Sequence, residues 1–300
     1  MKFKMLLILI LFTLNSCITR DKEIAPIAIS ISSSGWFKLW VSQTHTFRIY
    51  HFPFEANPSV SWHSSDVNIV DINQKGELLA IKEGIVTITA RSTIDSKVSA
   101  SILVTINPKI YFAGHEWLVL SRDDTKALII SKDIIEQRPY HSSSPTTWET
   151  SDIRHYLNNQ FLERFSEADK SRILETVIIN ENNQVYGTNG GNNTSDKVFL
   201  LSIYEALLFF GEYDKFDRHS YCRSKPQKRI FENRVAYING FPSWWWLRSP
   251  GYANFIASVT CENGIVRLDG YSVNISTGGV RPSMWIDLLG IVATDAPGCQ

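Results

Sequence analysis

The sequence predicts an all-β sandwich followed by an α+β domain, carried behind an apolar leader. Three observations predict it. Short strands with period-two alternation and glycine turns fill residues 27–107, with little helical pattern. Beyond Pro108 the pattern becomes mixed, with helical stripes between strand-like runs. Six of the nine tryptophans also lie in that later part, at 117, 148, 244–246 and 285.

The leader comes first. Lys2 and Lys4 precede the apolar run MLLILILFTL, and LNSC follows at Leu14–Cys17. The run falls short of the roughly 20 residues a spanning helix needs but suits a signal peptide. Ser16 before Cys17 resembles a bacterial lipobox, which implies diacylation of Cys17 and removal of residues 1–16. Residues 17–26 then read as a lipid-anchored tether, and the expected location is the bacterial cell envelope, surface or periplasmic.

Without the leader lysines, 28 basic side chains face 30 acidic ones, a balance that excludes a nucleic-acid partner. Cys222, Cys261 and Cys299 form an odd set; Cys222 and Cys261 are either bridged or two buried thiols.

Residues 27–107 supply the sandwich. Phe47, Ile49 and His51 alternate with Arg48 and Tyr50. Val86, Ile88 and Ala90 oppose Ile85, Thr87 and Thr89, and Ile102, Val104 and Ile106 share one face. NQKG at 73–76 and KEG at 82–84 punctuate these runs. The stretch VSWHSSDVNIVDINQKGELLAIKEGIVTITA, Val60–Ala90, resembles the group 2 bacterial Ig-like domain. That resemblance implies an inner-strand position for Trp62, glycine turns at Gly76 and Gly84, and a spacer or adhesion role. His45, His51 and His63 lack metal-ligand clustering and read as ordinary side chains.

Residues 108–289 supply the second domain, and 290–300 a tail. Ile153, Tyr156, Leu157, Phe161 and Phe165 make one helical stripe, with Thr150 or Ser151 as its cap. A second short helix is expected over SEADKSRILET, and a buried strand over DKVFLLS. Ser202 and Glu205 have capping-box spacing before ALLFFG, with Gly211 to end that helix. Asn180–Ser195, NENNQVYGTNGGNNTS, reads as a mobile loop whose amides suit hydrogen bonds to sugar or peptide. The Arg/Lys cluster in GEYDKFDRHSYCRSKPQKR reads as a solvated face.

TTWETSDIRHYLNNQF, DKVFLLSIYEA, WWLRSPG and GGVRPSMWI together resemble an uncharacterised domain family of bacterial surface proteins. That family is commonly joined to group 2 Ig-like domains. The resemblance implies a C-type-lectin-like fold, related also to the formylglycine-generating-enzyme fold. Its pattern falls on Trp148, Arg154, Trp245, Trp246, Arg248, Arg281 and Trp285, expected as structural residues alongside Trp62.

FPSWWWLRSPGY, Phe241–Tyr252, poses a choice between platform and core. Neighbouring strand side chains point to opposite faces, so Trp244 and Trp246 share one face and Trp245 takes the other. Trp245 or Trp246 therefore belongs to the core, Arg248 holds loop carbonyls or a buried carboxylate, and Trp244 is partly exposed.

The chemistry is sparse. No HExxH, GxSxG, CxxC or phosphate loop occurs, and His115-Glu116 lacks a second histidine. The calcium motifs of C-type lectins are absent, and Glu262 and Asp269 alone specify no site. No cofactor or metal is expected. The expected role is non-catalytic recognition or adhesion, of a glycan or an extracellular protein. The expected ligand residues are Asn189, Asn192, Asn193, Trp244, Tyr252 and Asn254. The alternatives are a structural surface-assembly protein and an envelope-polymer enzyme.

Overall fold

The computed structural model describes residues 23–32, 36–143, 145–210 and 232–288. The leader, Cys17, Gly211, Cys222, Cys299 and the cluster at 211–229 lie outside the described residues.

The first nine strands are β1 (Ala28–Ile31), β2 (Trp36–Trp40), β3 (Thr44–Thr46), β4 (Ile49–Phe52), β5 (Val60–Ser64), β6 (Val70–Ile72), β7 (Glu77–Ala80), β8 (Gly84–Ser92) and β9 (Ser99–Asn107). They form a four-stranded sheet in the order β2-β9-β8-β5 and a three-stranded sheet in the order β3-β7-β6, with β1 paired to β4. Val86, Ile88 and Ala90 from β8 and Ile102, Val104 and Ile106 from β9 meet Val70, Ile72 and Leu78 from the smaller sheet in one apolar cluster. A β-sandwich results because each strand's alternation buries one face. Trp62 lies in this cluster, stacked on Phe47 with ring centroids 5.9 Å apart. Gly76 closes the NQKG turn at φ +80°, where a Cβ would stand 2.8 Å from the Phe47 carbonyl oxygen.

The remaining described chain is also mostly strand. β10 (Lys109–Phe112), β11 (His115–Arg122), β12 (Lys126–Ser131) and β13 (Glu136–Gln137) precede the helices α1 (Asp152–Tyr156) and α2 (Glu167–Lys170). β14 (Ile173–Leu174), β15 (Thr176–Ile178) and β16 (Thr194–Asp196) precede α3 (Ile203–Phe209). The strands β17 (Ala236–Ile238), β18 (Phe241–Ser243), β19 (Trp245–Pro250), β20 (Ile256–Thr260), β21 (Val266–Ser272), β22 (Gly279–Val280) and β23 (Ser283–Asp287) follow. Two five-stranded sheets, β10-β11-β12-β23-β14 and β13-β22-β19-β20-β21, share the larger core. β12 pairs antiparallel with β23, so Lys126 faces Asp287 and the long excursion between them returns to its start.

Several elements differ from the sequence expectation. The stripe from Ile153 to Phe165 is α-helical only over α1; Leu157–Phe161 is a π turn and Leu162–Arg164 a 3₁₀ turn. Asn158 explains part of this. Its amide donates to both Arg154 O and Val198 O, at 3.1 and 2.8 Å, inserting a side chain into the helical ladder. Ser151, rather than Thr150, caps α1. The second helix shrinks to the four residues of α2, because Ile173 and Leu174 pair with β23 instead.

DKVFLLS is buried but is not a continuous strand. Asn158 Oδ1 accepts from the backbone N–H of Lys197 and Val198, which leaves Phe199↔Ser283 as an isolated bridge. The capping box at Ser202 and Glu205 is complete.

Candidate functional site

The WWWLRSP segment builds the platform under the surface. Trp245 and Trp246 on β19 are fully buried. Their indole N–H groups donate to Arg234 O and Arg138 O at 3.1 and 3.0 Å. Trp244 is half-buried, its ring edge-on to Trp246 at 4.8 Å and to Tyr271 at 4.9 Å. A Cβ at Gly278 would sit 1.9 Å from the Trp246 indole nitrogen, so only glycine permits this approach.

Three arginines tie loops to this core. Arg248 reaches the carboxylate of Glu205 with both terminal nitrogens, and also donates to Leu200 O at 2.8 Å. Arg281 donates to Ser131 O and Lys132 O at 2.8 and 3.0 Å, with its guanidinium 5.0 Å from the Trp245 ring centroid. Arg154 pairs with Asp196 at 2.7 Å, and the other Asp196 oxygen accepts from Trp148 and Thr194 at 2.9 and 2.7 Å. The buried charges are thus paired or hydrogen-bonded. Trp285 is half-buried, with Lys126 Nζ 5.1 Å from its ring centroid. Tyr140 donates to Arg248 O at 3.0 Å, and burial pushes its phenol well above the usual range.

The Asn-rich loop rests on this frame and is tightly self-bonded. Asn183, 2% exposed, donates to Pro250 O at 2.8 Å and Leu268 O at 2.9 Å, while its Oδ1 accepts from Val185 and Tyr186 N–H. Asn189 accepts from Gly191 N–H at 3.0 Å. Asn192 donates to Glu149 at 3.1 Å, and Asn193 accepts from Asn180 N–H at 3.1 Å. All three side chains are exposed, and each also hydrogen-bonds within the loop or to its neighbour.

The loop nevertheless meets the other expected residues. Gly191, at φ +86°, lies so close to Thr147 that a Cβ would approach its Oγ1 to 2.7 Å. Thr146 N–H in turn donates to Asn254 O at 2.9 Å. Across this junction Tyr186 packs edge-on against Tyr252 at 6.3 Å, and Tyr252 against Phe255 at 5.9 Å. These three rings are 43%, 50% and 41% exposed. Asn254 is exposed beside them, whereas the contacts of Trp244 are to Trp246 and Tyr271 instead. Tyr186 and Phe255 were not among the expected ligand residues; an aromatic inside a run of turn-forming residues is the signal that marks them.

On the far side of Glu149 an open cleft of about 770 Å³ is lined by Arg138, Glu149, Asp152, Arg154, His155 and Tyr156. Arg138 stacks over the Tyr156 ring with its Cζ 3.2 Å from the centroid. Burial, then the hydrogen bond with Glu136, pushes the Tyr156 phenol up to about 12.

The residues considered as metal ligands are scattered, and several have other partners. His45 packs between Phe37 and Phe47 at 4.4 and 4.9 Å, and the His51 ring lies 3.1 Å from Pro53 O. His63, His115 and Glu262 are exposed, Glu116 pairs with Lys109 and Lys132, and Asp269 pairs with Arg267 at 2.8 Å. Cys261 is buried. Among the described residues, no group of three or more His, Cys, Asp or Glu is placed to hold a metal ion. No helix among them is long and apolar enough to cross a membrane.

Comparison with known proteins places these features. A 163-residue segment is 33% identical to an uncharacterized protein of Clostridium acetobutylicum, covering 50% of this chain and 16% of that protein. A 92-residue segment is 32% identical to a fructan beta-fructosidase of Streptococcus mutans, covering 29% of this chain and 6% of the enzyme. The chain thus spans under a fifth of the length of either relative. Intimin of EHEC O157:H7 aligns at 13% identity and a TM-score of 0.20, over 47% of this chain and 64% of its own. Invasin, a bacterial integrin-binding protein, aligns at 11% identity and a TM-score of 0.27, over 84% of this chain and 35% of its own. Scores this low bear on neither fold nor function here. The family match is firmer, since it spans residues 124–288 and takes in every strand from β12 to β23, the clasped Asn-rich loop and the aromatic trio: the chain belongs to the family described as "Domain of unknown function (DUF6273)".

Proposed function

We propose that the protein is a non-catalytic recognition or adhesion module of the bacterial cell envelope, held by lipid at Cys17, with a glycan as its ligand. In this reading residues 27–107 are an Ig-like spacer and 108–289 a C-type-lectin-like domain. The return of β23 beside β12 supports the second part, because it closes a single looped unit.

The observation that carries the ligand class is the exposed trio Tyr186, Tyr252 and Phe255, set beside Asn254 and the clasped Asn-rich loop. Aromatic faces cover the apolar faces of sugars, and phenol and amide groups at their edges hydrogen-bond hydroxyls. A rigid frame lowers the ordering cost of binding. The resemblance of one segment to a small part of a fructan beta-fructosidase suits an appended module in a protein that acts on polysaccharide.

A second reading, contact with an extracellular or coat protein, has its own observation. The hairpin β17–β18 presents Tyr237 and Phe241, 45% and 74% exposed. Screening the full chain against glycans and against envelope proteins separates the two. Glycan capture that Tyr186→Ala and Tyr252→Ala reduce is the expected result. Capture unchanged by both substitutions would reject the site, and capture of a coat protein alone, lost with Phe241→Ser, would replace the ligand class.

A further inference from the structure

The end of the sandwich where the described chain begins carries a surface unused by the recognition site. Ile24 and Ile27 are 52% and 73% exposed, and Tyr50, Phe52 and Phe54 are 62%, 65% and 87% exposed. Backbone hydrogen bonds unite them: Ile27 N–H donates to Phe52 O at 2.8 Å, and Asn57 N–H to Ile24 O at 2.9 Å. The β1–β4 register places Ile29 opposite His51 and Ile31 opposite Ile49. Ile29, Ile31 and Ile49 pack against the sandwich core, so Tyr50 and Phe52 face outward, as does Arg48. The five exposed side chains leave both faces of the ribbon, since Phe54 stacks on His51 at 6.2 Å, on the side opposite Tyr50 and Phe52. Scattered exposed apolar side chains need no explanation, but five around one end of two paired segments do.

The chain itself indicates the occupant. Cys17 stands seven positions before Ile24, so even extended backbone at about 3.5 Å per residue keeps it within about 25 Å of that residue. We propose that the edge formed by Ile24, Ile27, Tyr50, Phe52 and Phe54 lies on the lipid bilayer surface and orients the sandwich there. This rests on the lipid-anchor part of the proposed function. Aromatic side chains with apolar neighbours favour the headgroup boundary, and a second weak membrane contact reinforces a lipid chain. Glu23 and Glu55 flank these residues in sequence and Arg48 lies at the other end of the pairing, opposite Ser32, so apolar contact rather than charge drives the association.

The test uses the chain from residue 18 onward, which lacks the leader and the lipid site but keeps every described residue. Its partition onto phosphatidylcholine vesicles is read by co-sedimentation. Phe52→Ser/Phe54→Ser should lower that partition about tenfold, with little effect of added salt. Tyr111→Ser, which removes a distant ring that is 76% exposed, should leave it unchanged. If the double variant melts early, Phe54→Ser alone serves, since Phe54 is the most exposed of the five. Absent partition by the unsubstituted chain, or equal partition by the variant, would overturn the proposal. A concentration-dependent dimer that the variant abolishes, without vesicle binding, would assign the edge to a second copy. Failure of lipidation is read separately, by membrane fractionation of Cys17→Ser, and failure of glycan recognition on Tyr186 and Tyr252.

Discussion

The indole N–H of Trp40 donates to the carbonyl of Val119 at 3.0 Å, from the last residue of β2 into β11. Trp40 is fully buried, packs with its ring tilted against Phe210 at 5.3 Å and belongs to the larger core, although its strand lies in the sandwich. A sandwich strand therefore plugs the larger core. Trp40→Ala should cost about 3–5 kcal/mol, read as a lowered denaturant midpoint. Proteolysis near 107–110 should release a C-terminal fragment that melts well below the intact chain, because it lacks this side chain.

The Arg248–Glu205 pair makes a second prediction. Glu205 both caps α3 and faces Arg248, whose side chain is 5% exposed. Glu205→Ala should cost about 3 kcal/mol, because it strands a buried guanidinium as well as removing a cap. Glu205→Ala/Arg248→Met should recover part of that loss. Additive losses in the double-mutant cycle would show the two side chains to be uncoupled.

How far the sequence reveals this molecule depends on the range of the interaction. The alternation in Ile102, Val104 and Ile106, and the box at Ser202 and Glu205, are local and read directly from spacing. The π turn at Leu157–Phe161 is not local: it depends on Asn158 meeting Val198, forty residues on. The same asparagine prevents a continuous strand in DKVFLLS. The Asn-rich loop is only partly legible for a related reason. Composition reveals many amides, but whether Asn192 serves a ligand or Glu149 depends on what folds beside it. Tyr186 and Tyr252, 66 positions apart, become neighbours only through the loop clasp.

Glu116 gives a pH-dependent prediction. Burial pushes its carboxyl up, but Lys132 and Lys109 outweigh this and hold it below its ordinary value of 4.5. A depressed folded value contributes stability above 4.5, and that contribution drains away as pH falls through the folded value. Glu116→Gln should therefore lower the melting temperature slightly at neutral pH and converge on the parent in acid. A gap that widened below pH 4.5 would reverse the sign and refute the assignment. The pair is partly exposed, so the effect should be small and should shrink with salt.

Asn183 is the sharpest test of the recognition surface, because it touches no proposed ligand. Its amide donates to Pro250 O and Leu268 O, and its Oδ1 accepts from the N–H groups that position Val185 and Tyr186. Asn183→Ala should remove one of the two donors of each carbonyl, since Ser258 Oγ also reaches both, and the acceptor that Asn183 offers Val185 and Tyr186, at a position 2% exposed, costing about 1–3 kcal/mol. The aromatic trio should respond further, since Tyr186 loses the turn that holds it against Tyr252. Hydrogen exchange at 184–190 should accelerate while β8 and β9 stay protected. If a glycan binds the trio, Asn183→Ala should weaken it mainly through faster dissociation, whereas Asn189→Ala, at an exposed loop position, should change it less. Binding lost with Asn189→Ala but retained in a folded Asn183→Ala protein would move the site away from the rings and onto the loop's outer amides.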